Sequence, residues 1–287
     1  MSVKPRALIL RLVLGAEGQG DAALGVRELL PACALFGLPE NSVRVALARA
    51  VAAGLLVAPQ RGVYALGPAA RPLADEVGRW RLVPLQVRAW NGGWIAVHAG
   101  ATGRSDRAAQ RARARAFELL GLAEFERGLQ LRPDNLAGGA PALRARLQTL
   151  LPAGTAAGTV FTLRDLAPAD GARARTLWDT AALQAGYRET TASLTAWREQ
   201  ARTLPLEQAA RETFELGNRA IRQLLFDPWL PAPLVDEATR QRFVAAVTRH
   251  DDIGKTVWRQ YLAAVRAGSS LRTAPSLSRR LTQEALS

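Results

Sequence analysis

The start of the chain carries apolar positions at helical spacing, interrupted by glycine and proline. Three helices are predicted, over residues 4–14, 26–36 and 41–53. Two short apolar runs, 55–57 and 63–66, then flank a turn, a pattern typical of a β-hairpin. Three helices and a hairpin predict a winged helix-turn-helix domain over residues 1–68, a fold that places its third helix in the major groove of DNA.

The third predicted helix has two different faces. One is an apolar stripe expected to pack on the first two helices, formed by Val43, Ala46, Leu47, Ala50 and Val51. The opposite face is slim and polar, and it suits a major groove, where arginine and asparagine hydrogen-bond to base edges. The candidate DNA-binding residues are Asn41, Ser42, Arg44, Val45 and Arg49 on this helix, and Arg61 in the hairpin turn, where contact with a phosphate is expected.

Beyond the hairpin, the pattern changes from helical to mixed. A connecting helix is predicted from about Ala69 to Leu85, within a connecting region of residues 69–90. Strands are predicted at 94–98, 129–132 and 159–163, and helices at 106–120 and 143–151. This order predicts a ferredoxin-like α+β domain over residues 91–170, followed by a mostly helical domain over 171–287. The expected fold class is therefore α+β and multidomain.

The chain carries a formal charge of +13, from 38 basic and 25 acidic residues. Fixed positive charge favours a polyanionic partner such as nucleic acid. All but two of the basic residues are arginine, and the charge is spread along the chain, so it permits DNA binding without distinguishing DNA from RNA or an acidic protein. Arg107, Arg111 and Arg115 form one regular basic stripe, either a solvated face or a contact for ligand phosphates or DNA.

The cysteine, the apolar N-terminal stretch and the two histidines indicate the cellular compartment and whether a disulfide or a metal site is expected. Cys33 is the only cysteine, so no intrachain disulfide is possible, and we expect it to pack in the core of a cytoplasmic protein. The apolar stretch Ala7–Ala16 is interrupted by Arg11 and is too short to cross a bilayer, so no membrane partner is expected. His98 and His250 have no partners at metal-ligand spacing, and neither is assigned to a metal site.

Several segments, taken in order, resemble the PaaX family of bacterial repressors, which are named for the control of phenylacetate degradation. These segments are Ser42–Arg49 with Gly54–Leu56, Trp90–Trp94, Leu119–Leu122, Leu131–Leu136, Leu177–Asp179 with Tyr187, and Arg222 with Asp227–Pro231. The resemblance runs over most of the chain and rests on their order and spacing. The sequence departs from the family pattern in two places. The hairpin turn holds a single basic residue where family members tend to carry several, and Pro233–Ala238 stands where the family has a segment of tryptophan and glycine.

The resemblance implies a homodimer that binds a palindromic operator in double-stranded DNA and represses an aromatic-acid catabolic operon. It also implies that phenylacetyl-CoA, or another acyl-CoA thioester, acts as the effector that releases the operator; no other cofactor is implied. The middle and C-terminal domains would supply the dimer contacts and the effector site. The candidate effector contacts are Trp178, Tyr187 and Arg222.

Two other classes of function stay open. A protein-interaction adaptor would use the same domains without binding DNA. An enzyme, either a metal-dependent nuclease on the ferredoxin-like domain or a thioesterase, would need metal-binding carboxylates or an activated nucleophile. The first strand of the middle domain ends in His98-Ala99-Gly100 where a nuclease would carry an aspartate, and the sequence has no nucleophile-elbow, Walker or paired-cysteine motif. An enzyme is therefore not expected, and no catalytic residue is assigned.

Overall fold

The computed structural model describes residues 4–18, 20, 23–99 and 107–268. Its contacts divide the chain into two compact units. The described residues of Met1–Gly78, Ala192–Ala220 and Ala246–Ser287 form the first unit, and those of Arg79–Thr191 and Ile221–Ala245 form the second. The mixture of helices with two small sheets confirms the predicted α+β class.

The N-terminal part of the first unit contains three helices and a small sheet. Its helices are α1 (Pro5–Glu17), α2 (Val26–Ala34) and α3 (Glu40–Ala52), and its strands are β1 (Leu24–Gly25), β2 (Leu56–Gln60) and β3 (Val63–Leu66). The strands pair antiparallel in the order β1-β3-β2, with β2 and β3 forming the predicted hairpin. At the start of α2, the Gly25 backbone N–H donates to the Glu28 carboxylate at 2.7 Å. This bond satisfies one of the amide groups that a helix start leaves without a partner.

The core of the first unit joins the N-terminal helices to two helices from late in the chain. These are α9 (Leu206–Leu225) and α10 (Glu237–Arg266), whose residues in the first unit pack with α1, α2 and α3 in one apolar cluster. Phe214 of α9 lies between Phe36 and Trp258, at ring-centroid distances of 5.2 Å and 5.5 Å. Cys33 is fully buried in the same cluster, as predicted, and burial raises the pKa of its thiol to about 12.

Two sequence expectations for residues 43–85 require correction. Val51 was expected in the buried stripe of the third helix, but 37% of its surface is exposed. The connecting helix from Ala69 to Leu85 is also wrong, because α4 (Arg71–Gly78) is followed by two short 3₁₀ helices, Arg79–Arg81 and Val83–Gln86. Gly78 weakens the helix, and Pro84 has no backbone N–H to continue it.

The second unit contains a four-stranded antiparallel sheet, with one helix inserted between its first two strands along the chain and another between its last two. The order along the chain is β4 (Trp94–His98), α5 (Arg107–Leu119), β5 (Ala123–Glu126), β6 (Leu129–Pro133), α6 (Gly139–Leu150) and β7 (Thr159–Leu163). In the sheet, the strands lie in the order β5-β6-β4-β7. Three of the four strands were predicted, and β5 was not. Of the helix predicted over 106–120, Asp106 lies outside the described residues.

Alternation along β4 gives the sheet two apolar faces, because successive side chains of a strand point to opposite sides. Ile95 and Val97 pack with apolar residues of α5 and α6. Trp94 and Ala96 pack on the other side, in a cluster that includes Ala174 of α7 (Pro168–Arg175) and Trp178. The sheet is therefore covered on both faces.

The predicted helical region, 171–287, contributes residues to both units. Its long helices are α8 (Thr180–Gln200), α9 and α10, and each has residues in the first unit and in the second. Two aspartates precede α8 and α10 and accept hydrogen bonds from backbone amides of their first turns, Asp179 from Ala182 and Asp236 from Ala238 and Thr239. Such bonds favour a helix start at these positions. Among the described residues, no helix combines the length and the apolar character needed to cross a membrane.

Candidate nucleic-acid interface and effector site

The outer face of α3 carries the side chains predicted to contact DNA. Asn41, Ser42, Arg44, Val45 and Arg49 are all exposed, as predicted from the helical spacing. Val43, Ala46, Leu47 and Ala50 are buried on the opposite side and hold the helix on the core. The short residues Ser42 and Ala48 keep the exposed face slim, so the two arginines are its longest side chains.

The guanidinium of Arg44 is held by a carboxylate of the same helix. Its Nε and Nη2 both donate to one oxygen of Glu40, at 2.8 Å and 2.6 Å. The pair is open to solvent, with 54% of the Arg44 side chain and 60% of the Glu40 side chain exposed. Glu40 was not among the residues predicted from the sequence, although its spacing of four residues from Arg44 on a helix was a usable signal.

Arg61 lies in the turn between β2 and β3, and its side chain is exposed. The turn is tied to the start of α2, because the carbonyl of Gly62 accepts a hydrogen bond from the backbone N–H of Val26 at 2.7 Å. Gly62 has a φ of +78°, in the left-handed region that glycine adopts without strain. The structure thus fixes the turn that carries Arg61 beside the start of α2.

The second unit contains a buried polar network around Asp227, which is only 2% exposed. The Tyr187 hydroxyl donates to one carboxylate oxygen at 2.5 Å, and the backbone N–H of Trp229 donates to the other at 2.7 Å. The side-chain amide of Asn135 donates to the Trp229 carbonyl at 2.6 Å, and the buried Arg240 donates to the Leu230 carbonyl. These bonds fix the segment Asp227–Pro231 within the second unit.

Burial dominates the electrostatics of this network. It raises the pKa of Asp227, an effect opposed by the hydrogen bonds from Tyr187 and Trp229 and by the positive charges of Arg240 and Arg132. Burial also lowers the pKa of Arg132 to about 10, assisted by the charge of Arg146 and opposed by Asp134 and Asp227. The Arg132 guanidinium is satisfied by the Leu120 and Pro133 carbonyls and by the Asn135 side chain.

The three predicted effector contacts lie in different surroundings in the second unit. Trp178 is half-buried and stacks on Trp94 with a centroid distance of 6.3 Å, and Tyr187 is fully buried with its hydroxyl on Asp227. Arg222 is exposed, with its guanidinium carbon 4.7 Å from the ring centre of Phe226, and Arg115 of the predicted basic stripe lies 5.9 Å from the same ring. In the described ranges, no hydrogen bond or ring contact joins these three side chains. Their role in effector binding stays a prediction.

A cavity of about 550 Å³ lies elsewhere in the second unit, between the end of β4, α6 and the loop that follows α6. Its polar lining includes His98, Arg144 and Gln148. Arg144 also donates to the Val160 carbonyl at 2.8 Å, so this guanidinium is partly engaged by β7. None of the three predicted effector contacts lines the cavity. Among the described residues, no group of three His, Cys, Asp or Glu side chains is placed to hold a metal ion.

Comparison with known proteins gives a family match and a likeness to solved structures. Residues 178–260 match the family model of the PaaX-like protein C-terminal domain. The structure of the uncharacterized protein Rv0674 from Mycobacterium tuberculosis resembles this one with a TM-score of 0.58, at 24% sequence identity, over 89% of this chain and 97% of that chain. This likeness shows a shared fold. No curated protein matches the sequence significantly.

Proposed function

We propose that this chain, whose residues 178–260 match the PaaX-like C-terminal domain, is a DNA-binding transcriptional regulator. The family model supports the expected resemblance over residues 178–260, and the earlier segments rest on the sequence pattern. The observation that carries the proposal is the exposed face of α3, on which Asn41, Ser42, Arg44, Val45 and Arg49 stand away from the core. A helix held by its apolar side, with hydrogen-bonding groups outward, can enter a major groove and contact base edges.

In this proposal, α1 to α3 and the β2–β3 hairpin act as a winged helix-turn-helix domain. The helix α3 is the recognition helix, and Arg61 in the hairpin turn contacts a phosphate. The β-α-β-β-α-β order of β4 to β7 and its strand order support a ferredoxin-like middle domain. No catalytic role is proposed for it.

The regulatory part of the proposal follows the PaaX resemblance. The protein acts in the cytoplasm as a homodimer on a palindromic operator, as a repressor of an aromatic-acid catabolic operon. An acyl-CoA thioester such as phenylacetyl-CoA binds the second unit and releases the DNA. The helices α8, α9 and α10 support effector control, because each has residues in both units. An effector that binds their residues in the second unit can therefore favour one conformation of the proposed DNA-binding domain.

The test is fluorescence anisotropy of the full chain on DNA from upstream of its own gene, against random DNA, at several salt concentrations. We expect tighter binding to the upstream DNA and a steep decrease of affinity with salt. Arg49→Ala should weaken binding by about tenfold, the size typical of one lost arginine contact. Arg202→Ala removes the same charge from an exposed site of the first unit outside α3 and the hairpin, and should leave binding nearly unchanged. Equal binding to upstream and random DNA would refute the proposal.

One observation favours a second candidate, a protein-binding adaptor. Val45, Val51 and Val57 expose 43%, 37% and 38% of their surfaces on α3 and at the start of the hairpin. Exposed valines can contact thymine methyl groups in a major groove, but they can equally contact a protein. The salt series separates the two, since an adaptor would show no DNA affinity that falls steeply with salt.

A further inference from the structure

Glu40 and Arg44 together present a more specific surface than two separate side chains. The bonds from Nε and Nη2 of Arg44 to Glu40 occupy the side edge of the guanidinium. The end edge, formed by Nη1 and the second hydrogen of Nη2, has no hydrogen-bond partner among the described residues, and neither has Oε2 of Glu40. The pair therefore offers two parallel donors on Arg44 and one acceptor on Glu40.

This arrangement has a complement on a base pair in the major groove. Guanine presents the acceptors O6 and N7, which a guanidinium edge meets with two hydrogen bonds, and cytosine presents its N4 amino group as a donor to a carboxylate. Glu40 is the first residue of α3 and Arg44 the fifth. In helix-turn-helix proteins, the N-terminal residues of the recognition helix are those that contact base edges.

We propose that the Glu40–Arg44 pair recognises G·C base pairs in the operator, with Arg44 on guanine and Glu40 as a specificity-determining residue on cytosine. Glu40 also positions Arg44, because two hydrogen bonds to one carboxylate oxygen restrict the direction of the guanidinium. This inference rests on the proposed DNA-binding function. It specifies which bases the start of α3 contacts. It also assigns a role to the Glu40 carboxylate, a group that DNA phosphates would otherwise repel.

A purely structural role for Glu40 makes a different prediction. A carboxylate in the first turn of a helix and an ion pair at i,i+4 each stabilise the helix slightly, without any effect on base preference. The Glu17–Arg71 pair offers a matched control. It is another solvent-accessible ion pair of the first unit, with 2.6 Å between Arg71 Nη1 and Glu17 Oε1, and it lies outside α3.

The experiment is selection from a random double-stranded DNA library by the full chain, followed by sequencing, for the wild type, Glu40→Gln and Glu17→Gln. We expect the wild type to enrich a half-site with G·C pairs, and Glu40→Gln to lose about tenfold of the preference at one or two of them. Its affinity for random DNA should rise, because a negative charge beside the phosphates is removed. Glu17→Gln should select the wild-type sequence.

Two further variants test whether Glu40 acts in part through Arg44. If it does, Glu40→Gln should change base preference less in the Arg44→Ala background than in the wild type, whereas a structural role would leave all preferences unchanged. An unchanged selected sequence for Glu40→Gln overturns the inference while the wild-type selection leaves the proposed function standing. A wild type without any sequence preference overturns the proposed function, and this inference with it.

Discussion

Gly121 lies directly against Pro228 within the second unit. A β-carbon built at Gly121 would come within 2.7 Å of the Pro228 Cα and 3.0 Å of its carbonyl oxygen, and Gly121 itself has a φ of +70°. Both constraints disfavour a larger residue at this turn, which separates α5 from β5. The close approach also brings this turn against the segment Asp227–Pro231 that the buried polar network holds.

We expect Gly121→Ala to destabilise the protein through both constraints. The left-handed backbone costs about 1 kcal/mol for alanine, and the contact with the Pro228 backbone adds about 2 kcal/mol, because neither chain segment can move freely. Urea unfolding followed by tryptophan fluorescence measures the loss. Gly92→Ala is the matched control, since Gly92 has a φ of +86° and open space around its missing β-carbon. Equal losses of unfolding free energy for the two variants would show that the Pro228 contact does not contribute to the effect.

The periodicity of apolar residues predicted most of the elements that place the candidate site. The helices α1 to α3, the hairpin and the exposed residues of α3 follow from spacing and turn residues alone, because each is a local pattern with one buried face. Val51 was misplaced for a related reason. It lies eight residues after Val43, about 80° round the helix, and therefore at the edge of the stripe rather than inside it.

Other parts of the structure depend on contacts that no local pattern encodes. Strand β5 has the sequence Ala-Glu-Phe-Glu, without a β-branched residue, and it forms because β6 offers an edge for pairing. Likewise, Tyr187 bonds to Asp227 across 40 positions, and Asn135 bonds to the Trp229 carbonyl across 94 positions. Sequence resemblance indicated the segments that contain them, but it could not show that they bond to one another in the core.

His250 makes stability depend on pH in a defined direction. It is buried in the first unit, where its Nε2 lies 3.0 Å from the Thr213 carbonyl and its ring packs edge-on against Trp197 at 4.8 Å. Burial lowers the pKa of His250, opposed by the bond to Thr213 and by Asp251. Since the unfolded value is about 6.5, the unfolded chain binds the proton more readily than the folded chain. The contribution of His250 to stability is therefore complete above pH 6.5 and is lost as the pH falls through the lower, folded pKa.

The two histidines of the chain allow this prediction to be checked within one protein. In His98→Gln, the imidazole of His250 is the only one left, and its NMR titration should have a midpoint below 6.5. In His250→Gln, the acid-induced loss of unfolding free energy should be smaller than in the wild type, whereas His98→Gln should retain it because His98 is exposed. An imidazole that titrates at its ordinary pH in His98→Gln would contradict the predicted direction.

Arg222 gives the most direct test of the proposed effector site. Its guanidinium is exposed above the Phe226 ring and shares that ring with Arg115, so two positive charges lie on one aromatic side chain. If Arg222 binds the phosphates of an acyl-CoA, Arg222→Ala should raise the concentration of phenylacetyl-CoA needed for half-release of DNA by about tenfold, the loss typical of a charged hydrogen bond. The DNA affinity of Arg222→Ala without the thioester should stay unchanged. The control, Arg188→Ala, removes an exposed arginine from α8 of the same unit, and it should change neither the DNA affinity nor the half-release concentration. If the wild-type concentration of phenylacetyl-CoA also releases DNA from Arg222→Ala, the phosphates of the thioester bind elsewhere. The cavity lined by His98, Arg144 and Gln148 would then be the next site to test.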